Sequence, residues 1–209
     1  MPLLLELFSG TQSISRAFEA LGWETFTVDI DPKTNPSLCI DVHNLRASHL
    51  PKDTDFVWAS CPCQQYSRAR THARTPRDLE AADNLVRRTL EIIRYYNGVP
   101  FMIENPHSGL LRTRDCIQGI PMLVVDYCQY GTAYRKRTSL WSNLPAWAPA
   151  RPLCDKKTCP SCENGRHKEV AQQNSRNRRY KVSDLHAIPS ELCREIAEYV
   201  NGSLLVVLD

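Results

Sequence analysis

Two residues of this sequence carry the strongest chemical suggestion, a thiol at Cys63 and a carboxyl at Glu104. Each follows a short apolar run that reads as a strand. Asp55 to Ala59 leads into Ser60-Cys61-Pro62-Cys63-Gln64-Gln65-Tyr66-Ser67, and Pro100 to Ile103 leads into Glu104-Asn105-Pro106. A thiol on a loop just past a strand end is well placed for nucleophilic attack. Taken alone, Cys-x-Cys suits a metal or structural pair equally well, and a single Glu is more often a salt-bridge partner. If the two strands are neighbours, however, the thiol and the carboxyl share one site.

That pairing has a specific use. C5 of cytosine is not nucleophilic until a nucleophile adds at C6, and the addition needs N3 protonated or hydrogen-bonded. A carboxyl beside N3 supplies this and reads the Watson–Crick edge. A second group suits a cofactor. Glu6-Leu7-Phe8-Ser9-Gly10-Thr11 places a small-residue turn after the first apolar run, where backbone can approach a ligand closely. Asp29 and Asp31 follow some 20 residues later and could accept ribose hydroxyls, and Asp41 could take an adenine amine. Position 12 is Gln, so the turn lacks G-x-G and points to a nucleoside-bearing cofactor other than a dinucleotide.

A third group is Cys154, Cys159, Cys162 and His167, a C-x4-C-x2-C-x4-H pattern in a loop rich in Pro and Lys. Four soft ligands at that spacing suit tetrahedral zinc, with His43 or Cys128 as substitutes for one of them. The chain has nine cysteines, an odd number unevenly spaced, which argues for reduced thiols rather than a disulfide framework.

The elements that must position these groups alternate. Apolar runs at Leu3–Phe8, Glu24–Ile30, Asp55–Ala59, Pro100–Ile103, Met122–Tyr127 and Ser139–Trp141 read as strands, with a short one near Cys39–Val42. Helical spacing marks Ser13–Leu21, Leu79–Tyr96 and Pro189–Tyr199, and Leu204–Leu208 reads as a final strand. Such alternation predicts an α/β fold, a mostly parallel sheet with helices on both faces. Ligands then bind beyond the carboxyl ends of the strands, where the polar clusters fall.

In this order the motifs resemble those of the DNA cytosine-C5 methyltransferases. Leu7-Phe8-Ser9-Gly10-Thr11 is similar to their cofactor motif, and Pro62-Cys63-Gln64 with Glu104-Asn105-Pro106 to their catalytic motifs. Tyr130-Gly131 with Arg135-Lys136-Arg137 resembles their arginine motif, and Ile188-Pro189-Ser190-Glu191-Leu192 the start of their C-terminal helix. Among members, the chain looks like the short phage-type proteins.

The resemblance implies a Rossmann-like S-adenosylmethionine-dependent fold that methylates C5 of cytosine in DNA. Cys63, not Cys61, would attack C6, because it stands between Pro and Gln. Glu104 would contact N3, and Arg135 and Arg137 would hold the target nucleotide. Phe8, Ser9, Gly10, Thr11 and Pro62 would line the cofactor, with Asp29 or Asp31 on its ribose and Asp41 on its adenine. Two departures stand out: Tyr134-Arg135-Lys136-Arg137-Thr138 replaces Gln-x-Arg-x-Arg, and Cys61 adds a second thiol two residues from Cys63. Other uses of the same fold are an RNA or free pyrimidine nucleotide substrate, or a non-catalytic nucleic-acid-binding role.

Composition fits this reading. The chain has 209 residues, 42% hydrophobic and 23% charged, as in soluble globular domains. No apolar run approaches the roughly 20 residues that span a bilayer. The first residues lack a signal-peptide pattern, so a cytoplasmic or nuclear location is expected, with no membrane partner. The net charge of +3 is unevenly placed: residues 151 to 181 hold nine Lys/Arg against three Asp/Glu. Such asymmetry suits a polyanion contact. Arg68, Arg70 and Arg74 in the loop after Cys63, and Arg176, Arg178 and Arg179, are the expected DNA contacts. The expected organisation is a catalytic core at 1–145, a small basic Cys/His insertion at 146–181, and a helix and strand at 182–209. So short an insertion implies low sequence specificity, or specificity borrowed from a protein partner.

Overall fold

The computed structural model describes residues 1–144, 146–171 and 179–205. A seven-stranded sheet forms the frame. In chain order its strands are β1 (Leu3–Leu7), β2 (Glu24–Asp29), β3 (Leu38–Cys39), β4 (Phe56–Ala59), β5 (Phe101–Pro106), β6 (Met122–Asp126) and β7 (Arg137–Ser142). Their spatial order is β3-β2-β1-β4-β5-β7-β6. The first five pair in parallel, and β7 runs antiparallel to both its neighbours. Among the described residues there are four α-helices, α1 (Ser13–Glu19), α2 (Leu79–Tyr95), α3 (Val182–His186) and α4 (Ser190–Leu205). A small hairpin of β8 (Cys162–Glu163) and β9 (Arg166–His167) lies in the insertion.

The central strands are buried at nearly every position because both of their faces are covered, and apolar except at Glu6 and at the Glu104–Asn105 end of β5. Alternate residues divide between two buried layers. Leu5, Val57, Ala59 and Ile103 pack with Val86, Leu90 and Ile93 of α2. Leu4, Phe56, Trp58 and Met102 pack with Ile14 and Phe18 of α1 and with Leu192, Ile196 and Val200 of α4. Phe18 stacks on Phe56 at 5.4 Å and meets Trp23 edge-on at 4.8 Å.

The expected strand at Leu204–Leu208 is corrected. Leu204 and Leu205 belong to α4, and 206–208 lie outside the described residues. The reason is periodicity. Leu192, Ile196, Val200 and Leu204 recur every fourth residue and pack on one apolar layer, so the helical stripe includes Leu204. The insertion is anchored to the core rather than separate from it: Trp147 is buried in the α1/α4 layer, and Ser161 Oγ donates to the Thr132 carbonyl at 2.9 Å.

Candidate active site

The parallel pairing of β4 and β5 sets Ala59 opposite Ile103. The segments that follow, carrying Cys63 and Glu104, therefore leave the sheet side by side. Asn105 ties them together. Its side chain is buried, and its Nδ2 donates to the Cys61 carbonyl at 2.8 Å. Further along the loop, the Tyr66 hydroxyl donates to Asp83 of α2 at 2.8 Å. Arg114 grips the same carboxylate with contacts of 2.7 to 3.2 Å. The Tyr66 carbonyl also accepts from Leu110 N at 3.0 Å. A methyl group on Gly109 would come within 3.0 Å of the Pro106 carbonyl and 3.6 Å of Tyr66 Cβ. The loop that carries Cys63 is thus clamped on both sides.

Cys63 is half-buried, and its thiol is raised above the usual range by burial and by the Glu104 charge, with Lys136 pulling the other way. Cys61 differs. It is buried, its thiol donates to Thr89 Oγ1 at 3.7 Å, and burial pushes it up to about 12. It is buried in the apolar layer against α2. The cation acting on the Cys63 thiol is Lys136, not an arginine of its own loop. Arg70 instead folds back on Thr75 and Pro76, while Arg68 and Arg74 are exposed. Arg77 holds this loop closed through the Gln65 and Ser67 carbonyls, each at 2.7 Å.

Glu104 is 6% exposed. It accepts from the Tyr127 hydroxyl at 3.1 Å, and Lys136 Nζ stands 3.8 Å away. Lys136 also lies over the Tyr127 ring at 4.9 Å and donates to the Leu185 carbonyl at 3.1 Å. Arg135 and Arg137 go elsewhere: both bind the fully buried side chain of Asp126, at 3.1 and 2.6 Å. Their guanidiniums hold its carboxyl below the usual range, against the pull of burial. Sequence reasoning singled out the two arginines and missed Lys136 between them. The signal was the two-residue alternation of the extended segment leading into β7, which sends 135 and 137 to Asp126 and 136 to Glu104.

On the cofactor side, Phe8, Gln12 and Gly10 all have positive φ, +57°, +53° and +44°, which makes a sharp turn at the end of β1. Asp29 shapes that turn: its carboxylate accepts from Gly10 N at 2.8 Å and from Asp31 N at 2.9 Å. Asp31 and Asp41 each accept the backbone N–H two residues on, at Lys33 and His43. Beneath the turn, buried Glu6 accepts from the backbone N–H and the hydroxyl of Ser15 on α1, and burial pushes its carboxyl up to about 7.

In the insertion, Cys154, Cys159 and His167 come together with Cys128, which follows β6, their ligand atoms lying within 4.8 Å of one another. Cys162 Sγ lies 3.5 Å from both ring nitrogens of His167. Arg179 pairs with Glu169 at 2.5 Å, and Arg176 and Arg178 lie outside the described residues. Among the described residues, no helix is long and apolar enough to cross a membrane.

Known proteins resemble this chain in sequence and in fold. Residues 3–117 match the family model for C-5 cytosine-specific DNA methylases. A frog virus 3 (isolate Goorha) protein described as a probable DNA (cytosine-5)-methyltransferase is 36% identical over 174 residues, 77% of this chain and 78% of the relative. Among solved structures, an E. coli prophage protein described as a DNA modification methyltransferase superposes with a TM-score of 0.51 at 17% identity, over 68% of this chain and 46% of its own. The S. pombe Dnmt2 methyltransferase superposes with a TM-score of 0.50 at 15% identity, over 78% of this chain and 57% of its own. The chain thus spans about half the length of these solved structures, whose likeness is one of fold. By its family model and by the viral relative, the chain belongs to the C-5 cytosine-specific DNA methylase family.

Proposed function

We propose that this chain methylates C5 of cytosine in DNA, with Cys63 as the nucleophile that adds to C6. The observation that carries the reading is the convergence of Cys63, Glu104 and Lys136 on one half-buried site, with Asn105 fixing the distance between the two catalytic loops. A flipped cytosine offers N3 and its amine to Glu104 while C6 meets the Cys63 sulfur. Lys136 favours the thiolate that burial disfavours. Addition at C6 breaks the ring's 5,6 double bond and makes C5 nucleophilic. Once C5 carries the methyl group, loss of its proton to a base restores the 5,6 double bond and expels Cys63 as thiolate.

The turn at Phe8 to Thr11 fits S-adenosylmethionine. The Ser9 hydroxyl is buried without a hydrogen-bond partner, so a polar ligand at the turn supplies what the protein lacks. Phe8, Ser9, Gly10 and Thr11, with Pro62, would hold the methionine part, and Asp31 and Asp41 the nucleoside. When bound, the cofactor supplies an electrophilic methyl group to the activated C5. Asp29, already committed to Gly10 N and Asp31 N, supports the turn from behind.

For DNA, the supporting features are the exposed Arg68 and Arg74 on the loop after Cys63 and the basic insertion. The insertion, as the segment where a recognition domain would stand, is too small for extensive base readout. Target choice then rests on few contacts or on a partner protein.

The test is methyl transfer from tritium-labelled cofactor to DNA, RNA and dCMP, with covalent trapping on DNA containing 5-fluorocytosine. Labelled DNA and a trapped adduct that Cys63→Ala abolishes are expected. Transfer to RNA or dCMP but not to DNA would refute the substrate assignment, and an adduct surviving Cys63→Ala would refute the nucleophile.

A further inference from the structure

We propose that Cys128, Cys154, Cys159 and His167 bind one structural zinc ion, and that the ion rivets the insertion to the strand end that holds the arginine pair. The geometry of the cluster is that of an ion's coordination shell. Cys154 Sγ lies 3.5 Å from His167 Nε2, and Cys159 Sγ lies 3.7 Å from the same nitrogen. With Zn–S of about 2.3 Å and Zn–N of about 2.0–2.1 Å, a tetrahedral S···N edge is about 3.6 Å. Both observed edges agree with that length. The fourth donor, Cys128 Sγ, completes a set whose members are all within 4.8 Å of one another.

The sequence spacing favours Cys162 over Cys128, and the structure reverses this. Cys162 Sγ is equally far, 3.5 Å, from Nδ1 and from Nε2. A thiolate sharing an ion with Nε2 lies beyond that nitrogen, so it stands much farther from Nδ1, at about 5 Å for tetrahedral zinc. Cys162 therefore packs against the imidazole and orients it, as partners of metal-bound histidines do. The β8–β9 hairpin brings this about. Its Asn164-Gly165 turn has both residues at positive φ, +51° and +73°, and it pairs Cys162 directly with His167.

Cys128 gives the site its second role. It follows β6 by two residues, so a metal bond to it ties the insertion to the sheet. Its neighbour Asp126 is already shared: one carboxylate holds Arg135 and Arg137 and also accepts the Cys154 backbone N–H at 2.9 Å. Three thiolates and a neutral imidazole leave the zinc site with one net negative charge. The thiol protons pass to solvent on binding. That charge lies beside the two arginines, and the ion fixes the carboxylate between them.

The experiment uses the full chain purified without chelator. Elemental analysis is expected to find about one zinc per chain. In a competition titration with a chromogenic chelator, Cys128→Ser is expected to weaken zinc at least about tenfold, and Cys162→Ser to weaken it less than Cys128→Ser does. Cobalt(II) loaded into each purified protein gives a second readout. Its thiolate charge-transfer band should fall by about one third in Cys128→Ser, from three thiolates to two, and stay at full strength in Cys162→Ser. A chain that binds neither ion would overturn the site. Loss of the band in Cys162→Ser with retention in Cys128→Ser would overturn the ligand assignment.

Discussion

Lys136→Met isolates the cation that sequence reasoning overlooked. The side chain is 16% exposed and its Nζ is 3.8 Å from a Glu104 oxygen on a carboxyl that is 8% exposed. At that distance, with an effective dielectric constant near 20, the gross attraction is about 4 kcal/mol. Desolvation of both ends offsets much of it, so the coupling between positions 136 and 104 should be about 1–3 kcal/mol. A double-mutant cycle of Lys136→Met with Glu104→Gln, read by urea denaturation, measures it. The effect on chemistry is larger, because Lys136 opposes the burial that disfavours the Cys63 thiolate. Removing one preorganised charge beside reacting atoms slows chemistry by about 10²-fold. The assay is the rate of adduct formation on 5-fluorocytosine DNA as a function of pH. Without Lys136 the Cys63 thiol titrates at higher pH, so the deficit should narrow as pH rises, and Lys136→Arg should restore most of the rate. A deficit that is the same at every pH, or none at all, would refute the claim that Lys136 acts through Cys63.

Three further outcomes are expected. Asn105→Ala leaves the Cys61 carbonyl without its 2.8 Å donor, so it should cost about 1–3 kcal/mol in urea denaturation and slow trapping as well. Cys61→Ala should leave trapping intact, and a neutral-pH alkylating reagent should modify Cys63 well before Cys61, whose thiol is pushed up to about 12; mass mapping of the labelled cysteine checks this. Glu6 gives a pH signature: its carboxyl moves from 4.5 to about 7 on folding, so the folded chain holds its proton longer than the unfolded one. Stability should therefore fall as pH rises from about 4.5 through 7, by up to about 3 kcal/mol, and Glu6→Gln should flatten the slope.

The strands and long helices were legible because their periodicity is strong. Leu4/Leu5 and Met102/Ile103 divide between two apolar layers, which produces the uninterrupted apolar runs. Cys63 and Glu104 were legible because each ends such a run. The antiparallel insertion of β7 between β5 and β6 was not, since pairing direction leaves no trace in a single strand's composition. That pairing is what carries Lys136 to Glu104. The choice of Cys128 was equally hidden, because it stands 26 positions before Cys154 and only the fold brings them together. At α4 the Leu-Leu-Val-Val-Leu run reads locally as a strand, while the four-residue stripe from Leu192 to Leu204 decides for helix.

The strand order has a consequence for how the chain is made. As the polypeptide leaves the ribosome, β5 emerges with one side already pairable to β4 and the other unpaired. The next strand, β6, cannot cover that open side, because its native place is one strand farther out. Only when β7 follows does it fill the gap between them and zip both edges at once. Until then β5 and β6 offer unpaired backbone to any other chain. The last strand of the sheet to arrive is therefore β7, led in by the arginine–lysine segment. A nascent chain stopped short of Lys136 holds Cys63 and Glu104 but has neither the full sheet nor the lysine that stands beside them.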